Sequence, residues 1–268
     1  MLRDITIGQY FPGNSVVHRM DPRFKIVMTL LFIVMLFLGE HLYSLGYGLV
    51  YCLIALLLSR IPVKMIWKSV RPLLPILLIT AALDMFFLDD GTVYFHWHFL
   101  KITSDGVNTA VLMVVRIIVL LVGSSLLTYT TSPIALTDAI ERLLAPLKRL
   151  HVPVHAFAMM MTIALRFIPT LLEETDRIMT AQKARGASFS EGSMLQRAKA
   201  LVPIFVPLFV SSFRRAEELA TAMECRCYHG DQGRTRMKQL EWRMRDTLAL
   251  LWGALVLAGM IVLSRFGL

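Results

Sequence analysis

Five apolar runs, the first four separated by short stretches and the fifth by a long charged one, constrain this chain more than any other feature. They are Phe24 to Leu38, Leu42 to Ser59, Leu73 to Leu88, the stretch from Asp105 and Gly106 to about Thr128, and Thr247 to Leu263. Each approaches the ~20 residues that a helix needs to cross a bilayer. In lipid, only a helix or a closed barrel satisfies every backbone group, and runs of this length read as helices. Hydrophobic residues are 56% of the 268, and the mean hydropathy is +0.61, too apolar for a soluble domain of this size. The expectation is an all-α, polytopic membrane protein with about five spans. The first run borrows Lys25 and its neighbours at the interface. The third has Pro72 and Pro75 at its start, where proline is tolerated. Gly39-Glu40-His41 suits a tight joint between the first two runs. Asp89-Asp90-Gly91 closes the third, and Val93 to Ile102, with His96 and His98, is expected as a short hairpin or interfacial loop. Its Tyr94 and Trp97 suit headgroup level. No cleavable signal peptide is expected, because the first apolar run starts only near Phe24, behind a polar stretch.

The net charge of +9 lies between the apolar runs, which points to orientation by the positive-inside rule and away from nucleic acid. Arg19, Arg23 and Lys25 place the N-terminus on the cytoplasmic side. Arg60, Lys64, Lys68 and Arg71 form a cytoplasmic connection, while Asp89, Asp90 and Asp105 fall outside. Leu136 to Asp246, rich in lysine and arginine, is then cytoplasmic. The expected division is 1–130, N-terminal spanning helices; 131–246, a cytoplasmic domain of long amphipathic helices; and 247–268, a last spanning helix.

Ser132-Pro133 is a good N-cap and N1 pair opening the cytoplasmic domain. Two long segments follow, Val154 to Arg185 and Met194 to Arg226. Each is apolar first and charged later, and Pro169 interrupts the first as Pro203 and Pro207 interrupt the second. Their ends repeat. Thr180-Ala181-Gln182-Lys183-Ala184-Arg185-Gly186 is matched by Thr221-Ala222-Met223-Glu224-Cys225-Arg226-Cys227, and each places one arginine between two small residues. A single copy would read as a cation complementing a helix C-terminus. Two copies at one offset favour docking, because a guanidinium fork on a slim tip suits entry into a partner's pocket. Two tips imply two pockets, on two similar subunits. Gly186 is placed to stop the first helix.

Cys225, Cys227 and His229 alternate, but without a second cluster in sequence small-residue packing is favoured over a metal site. Met159, Met160 and Met161 serve either as ordinary core or as an adaptable face. With Pro169, Pro203 and Pro207 they mark a second, membrane-side interaction surface. Asp84 and Arg116 lie in apolar spans, where charge is costly and is usually functional or paired. Asp84 sits near the outer end of its run and Arg116 near the middle of the next, so pairing stays open, beside a contact from Arg116 to backbone carbonyls. No P-loop, H-E-x-x-H, G-x-S-x-G or kinase pattern occurs, so no nucleotide site, metal centre or nucleophile is expected. The competing reading is a secondary transporter or channel binding solute itself through Asp84 and Arg116. It leaves the repeated tips unexplained.

Ala184-Arg185-Gly186 and Cys225-Arg226-Cys227, with Gly8-Gln9-Tyr10 through Ser15 and His18-Arg19-Met20-Asp21-Pro22-Arg23-Phe24-Lys25, resemble the transmembrane T component (EcfT) of energy-coupling factor transporters. The resemblance covers nearly the whole chain; the second motif departs from A-R-G by its two cysteines but keeps small neighbours. It implies a membrane scaffold whose cytoplasmic domain is a coupling domain of crossed helices. Their arginine tips would dock on two ABC-type ATPases, and their apolar surface would hold a substrate-binding S component for a vitamin or metal ion. It further implies that ATP is bound by the partners, with no cofactor and no catalysis in this chain, in the cell membrane.

Overall fold

In a computed structural model of the chain, residues 10–39, 42–87, 93–97, 100–187, 193–230 and 242–265 are described. The Gly8-Gln9 stretch, Glu40-His41, Asp89-Asp90-Gly91, His98 and the basic segment 231–241 lie outside them. The chain divides into two units, one holding residues 8–136 with 240–268 and the other 137–239.

The first unit begins with helix α1 (Pro22–Leu38). Asp21 caps it by accepting from the Arg23 amide at 2.9 Å, and Pro22 occupies the first helical position. Helix α2 (Leu42–Ser59) runs back beside it. The basic connection expected from Arg60 to Arg71 is itself helical, as α3 (Val63–Val70), because Ile66 and Val70 form a buried side while Lys64 and Lys68 stay exposed. A single 3-10 turn at Arg71–Leu73 carries it into α4 (Leu74–Phe87). Strands β1 (Val93–Trp97) and β2 (Leu100–Thr103) pair antiparallel, as the hairpin reading of this stretch anticipates. Thr103 caps the long α5 (Ser104–Thr130), accepting from the Gly106 amide at 3.1 Å. Helix α9 (Met244–Arg265) returns to the same bundle. The core joins α1, α2, α5 and α9 through Phe32, Met35, Leu36, Cys52, Val119, Val256 and Met260. Gly123 on α5 permits the close approach to α1, since a Cβ there would collide with the Phe32 ring.

Among the described residues, four stretches can cross a membrane by length and composition: Val63–Phe86, Ser104–Thr130, Val154–Ala184 and Met244–Val262. The multi-pass, helical expectation is met, but the set differs from the five apolar runs. Helices α1 and α2, with 17 and 18 residues, rise only ~26 Å, short of a hydrocarbon core of ~30 Å. Val154–Ala184 qualifies on its apolar first half.

Helix α6 (Pro133–Leu143) leads into the second unit, its start capped by the Ser132 hydroxyl, which accepts from the Ala135 amide. The second unit then holds α7 (Val154–Ala184) and α8 (Met194–Glu224), each of 31 residues. Arg215 meets Glu174 at 3.2 Å, Gln182 reaches Pro203, and Tyr228, just beyond α8, reaches Met159 and His155 near the start of α7. Those three contacts make the pair antiparallel along its length. Gln182 donates to the Pro203 carbonyl at 3.4 Å, which Pro207 leaves without its intrahelical donor.

Candidate functional site

The two arginine tips share one backbone construction. At the end of α7, Gly186 takes φ +90°, its amide donates to the Lys183 carbonyl at 3.0 Å, and the Ala187 amide donates to Gln182 at 3.0 Å. At the end of α8, Cys227 takes φ +55°, its amide donates to Glu224 at 2.9 Å, and the Tyr228 amide donates to Met223 at 3.1 Å. Both are Schellman turns, with the left-handed residue at C′ and the next amide bonded five residues back. Arg185 and Arg226 therefore occupy the same position, the last residue before the left-handed one. Both side chains are exposed, and neither makes a hydrogen bond or ion pair among the described residues. Ala184, Gly186, Cys225 and Cys227 are exposed too, so each tip is slim on both sides of its guanidinium. His229 turns its Nδ1 back to the Cys227 carbonyl at 2.8 Å.

Glycine and cysteine do not fill the left-handed position equally well. Open space surrounds Gly186, so only its φ demands glycine. Gly186→Val is expected to weaken that last turn by about 1–2 kcal/mol, read as roughly 5–30-fold faster hydrogen exchange of the Ala187 amide. Cys227→Gly should leave the Tyr228 amide at least as protected as it is now, because φ +55° suits glycine better than cysteine.

Because α7 and α8 are antiparallel, the tips sit at opposite ends of the pair, separated by ~40 Å along the helices. Between them both helices expose large apolar side chains. Met160 and Met161 are exposed on α7, and Phe205, Phe209 and Phe213 on α8, with Phe209 and Phe213 stacked at 6.4 Å. Pro169, Pro203 and Pro207 are exposed as well. Met159 differs from its neighbours, since its sulfur accepts the Tyr228 hydroxyl at 2.7 Å.

The two intramembrane charges are not brought together, and among the described residues no ion pair links them. Arg116 donates through Nη2 to the Gly39 carbonyl at the end of α1, and its buried Nε has no partner among the described residues. Register fixes its depth. Lys25 at the start of α1 bonds to Thr130 at the end of α5, so Arg116 lies at the level of the α1 terminus. Sequence position alone puts it mid-span. The shortness of α1 puts it instead beside that helix's carbonyl end, where a cation is favoured. Asp84 stands higher, where α4 packs on the first turn of α5 at Gly106.

The cobalt transport protein family, CbiQ, matches residues 13–237. The chain is 54% identical to the energy-coupling factor transporter transmembrane protein EcfT of Ruminiclostridium cellulolyticum over 92% of each chain. It is 51% identical to that of Acidaminococcus fermentans, over 99% of this chain and 97% of that one. With the protein of the same name in Thermosediminibacter oceani it shares 52% identity over 99% of both.

The chain belongs to the EcfT family.

It is thus a multi-pass transmembrane component of an energy-coupling factor transporter, working in a complex with other subunits. Membership covers both units, since the matched residues run through the bundle, α7, α8 and both tips. What membership leaves to geometry is the work of each tip. Three residues at the second one escape a reading of the sequence: Tyr228, His155 and Glu141. His155 Nδ1 meets Glu141 Oε1 at 3.0 Å, and its Nε2 lies 3.5 Å from the Tyr228 hydroxyl. A large residue after a Schellman turn is the one available signal for them, because that position often packs back on its own helix.

Proposed function

We propose that the chain is the scaffold of an ATP-driven importer, coupling two ABC-type ATPases to a membrane-embedded, substrate-binding S component. The observation that carries this reading is the pair of register-matched turns, each presenting an exposed arginine that has no partner among the described residues. One docking tip per ATPase accounts for two tips, and their ~40 Å separation suits two subunits better than one pocket. Ala184, Arg185 and Gly186 form one docking point, and Cys225, Arg226 and Cys227 the other. The exposed apolar face around Met160, Met161, Pro169, Pro203 and Pro207, continued by the α8 phenylalanines, receives the S component. A face of this kind on a membrane protein is a natural contact for another apolar surface.

In this reading residues 1–130 and 247–268 hold the scaffold in the cell membrane, with the N-terminus cytoplasmic, and 131–246 form the coupling domain. The chain is not catalytic and brings no cofactor; the ATPases bind ATP. Movement of the ATPases would be carried through the tips into α7 and α8 and on to the S component, moving a vitamin or metal ion inward. The alternative, a carrier that binds solute through Asp84 and Arg116, loses support from their separation and from the Arg116 contact to Gly39. Co-purification from solubilised membranes tests the proposal. Two ATPases should accompany the tagged wild-type chain and be lost from Arg185→Glu/Arg226→Glu. A stable wild-type chain that comes down alone would overturn it.

A further inference from the structure

We infer that Tyr228 is a positioning residue for the Arg226 tip, bracing it on α6 and α7, so that the two docking tips are mechanically unequal. The inference rests on the docking reading above and adds to it. Tyr228 is held at both ends. Its amide closes the Schellman turn onto Met223 at 3.1 Å, which fixes the backbone two residues beyond Arg226. Its hydroxyl donates to Met159 Sδ at 2.7 Å and lies 3.5 Å from His155 Nε2. His155 in turn meets Glu141 of α6 at 3.0 Å, and Glu141 is 8% exposed. The Glu141 carboxylate holds the imidazole by Nδ1 and turns Nε2 toward the tyrosine oxygen. The imidazole is thereby oriented from behind, as a hydrogen-bonded histidine usually is. The chain of contacts runs from α6 through the first turns of α7 to the residue that ends α8.

Among the described residues the first tip has no equivalent of this tyrosine. The position matching Tyr228 is Ala187, whose methyl group cannot reach another helix. Its turn rests on its own two backbone hydrogen bonds and, among the described residues, on one longer tie from the Gln182 side chain to the Pro203 carbonyl of α8. Arg226 is therefore presented from a turn whose closing residue is tied to α7 and through it to α6, and Arg185 from a turn held to another helix, among the described residues, only by the Gln182 side chain at 3.4 Å. A braced anchor loses less freedom when it docks. The Arg226 contact should accordingly be the more preorganised, and the Arg185 contact the more compliant when the ATPases move.

Two readouts on the full-length chain test this: amide hydrogen exchange in lipid nanodiscs, and retention of the co-expressed ATPases. Tyr228→Phe removes only the hydroxyl. It is expected to speed exchange of the Cys227 and Tyr228 amides about tenfold and leave Gly186 and Ala187 unchanged. In an Arg185→Glu background, where Arg226 alone holds, it should cut ATPase retention at least fivefold. His155→Ala should act in the same direction, and His155→Gln, which keeps polar atoms toward both Glu141 and Tyr228, should largely restore retention. Unchanged exchange at the second tip in Tyr228→Phe would overturn the brace. So would faster exchange with undiminished retention, since Tyr228 would then be structural only. Arg226→Glu separates the two ideas. If it leaves retention intact, the docking reading itself fails and the brace's purpose with it. If it releases an ATPase while Tyr228→Phe does not, only the brace is wrong.

Discussion

Reversing both tips, Arg185→Glu with Arg226→Glu, is expected to bring ATP-driven uptake in reconstituted vesicles to the level without ATP. Each single reversal should leave a measurable remainder. Arginine is among the residues that dominate interfaces, where truncating one anchor commonly costs 2 kcal/mol or more. Replacement by glutamate adds repulsion from whatever acidic groups receive the guanidinium. Two such losses of about 2 kcal/mol, ~40 Å apart and so close to additive, multiply to roughly a thousandfold in association. A single reversal leaves the second contact to hold the complex at high effective concentration, so its apparent defect is smaller than its intrinsic one. Because Arg185 and Arg226 are exposed and have no partner among the described residues, neither change should disturb the fold. Thermal unfolding of the double variant should therefore match the wild type within about 1 °C, which keeps the loss assignable to docking. Full uptake by the folded double variant would remove the tips from the mechanism.

How far the sequence reaches depends on the separation of the interacting residues. Periodicity and apolar length report on neighbours, and the runs that become α2, α4, α5 and α9 stand out for that reason. The repeated Thr-Ala offset also showed, without any structure, that Arg185 and Arg226 occupy matching places. Their shared Schellman turn was only half visible. Gly186 announces a left-handed residue, whereas Cys227 carries no such signal, and its φ of +55° emerges only from the backbone. Contacts across many residues were not visible. Tyr228 meets Met159 from 69 positions away, and Arg116 meets Gly39 from 77. The depth of Arg116 follows from the register of α1 against α5, which a hydropathy run does not encode. The antiparallel pairing of α7 and α8 depends on Glu174 with Arg215 and on Gln182 with Pro203, polar contacts that read in sequence as ordinary solvated positions. The amphipathic α3 was hidden because its lysines dominate a charge-based reading, while the two residues it buries are few.

Lys25→Met should produce the largest loss of stability of any single change in the bundle, about 3–5 kcal/mol, seen as a lower unfolding temperature of the chain in nanodiscs. Lys25 is 6% exposed, and its ammonium has three donors and three acceptors. Nζ donates to the Thr130 carbonyl at 2.9 Å, the Thr131 hydroxyl at 3.2 Å and the His18 carbonyl at 3.3 Å. One side chain thus ties the start of α1 to the end of α5 and to the segment before α1. Methionine fills the same volume, so packing around the adjoining crevice of about 140 Å3, lined by Phe32, Tyr51 and Trp252, is kept. What is lost is satisfaction of the buried Thr130 carbonyl, worth about 1–3 kcal/mol when orphaned, and of the half-buried His18 carbonyl. Burying the ammonium is costly in itself, and Asp246 and Asp21 offset part of that cost. Asp246 is 2% exposed and already accepts from the amides of Asp21 and Arg243, at 3.0 and 3.1 Å. Neutralising it as Asp246→Asn keeps one amide acceptor while removing its attraction for Lys25. The double variant Lys25→Met/Asp246→Asn should therefore lose less than the two single losses added together, with a coupling of about 1 kcal/mol or more. Strict additivity would mean that Lys25 acts only through its hydrogen bonds, and an unfolding temperature unchanged in Lys25→Met would mean that the clasp contributes nothing to the bundle.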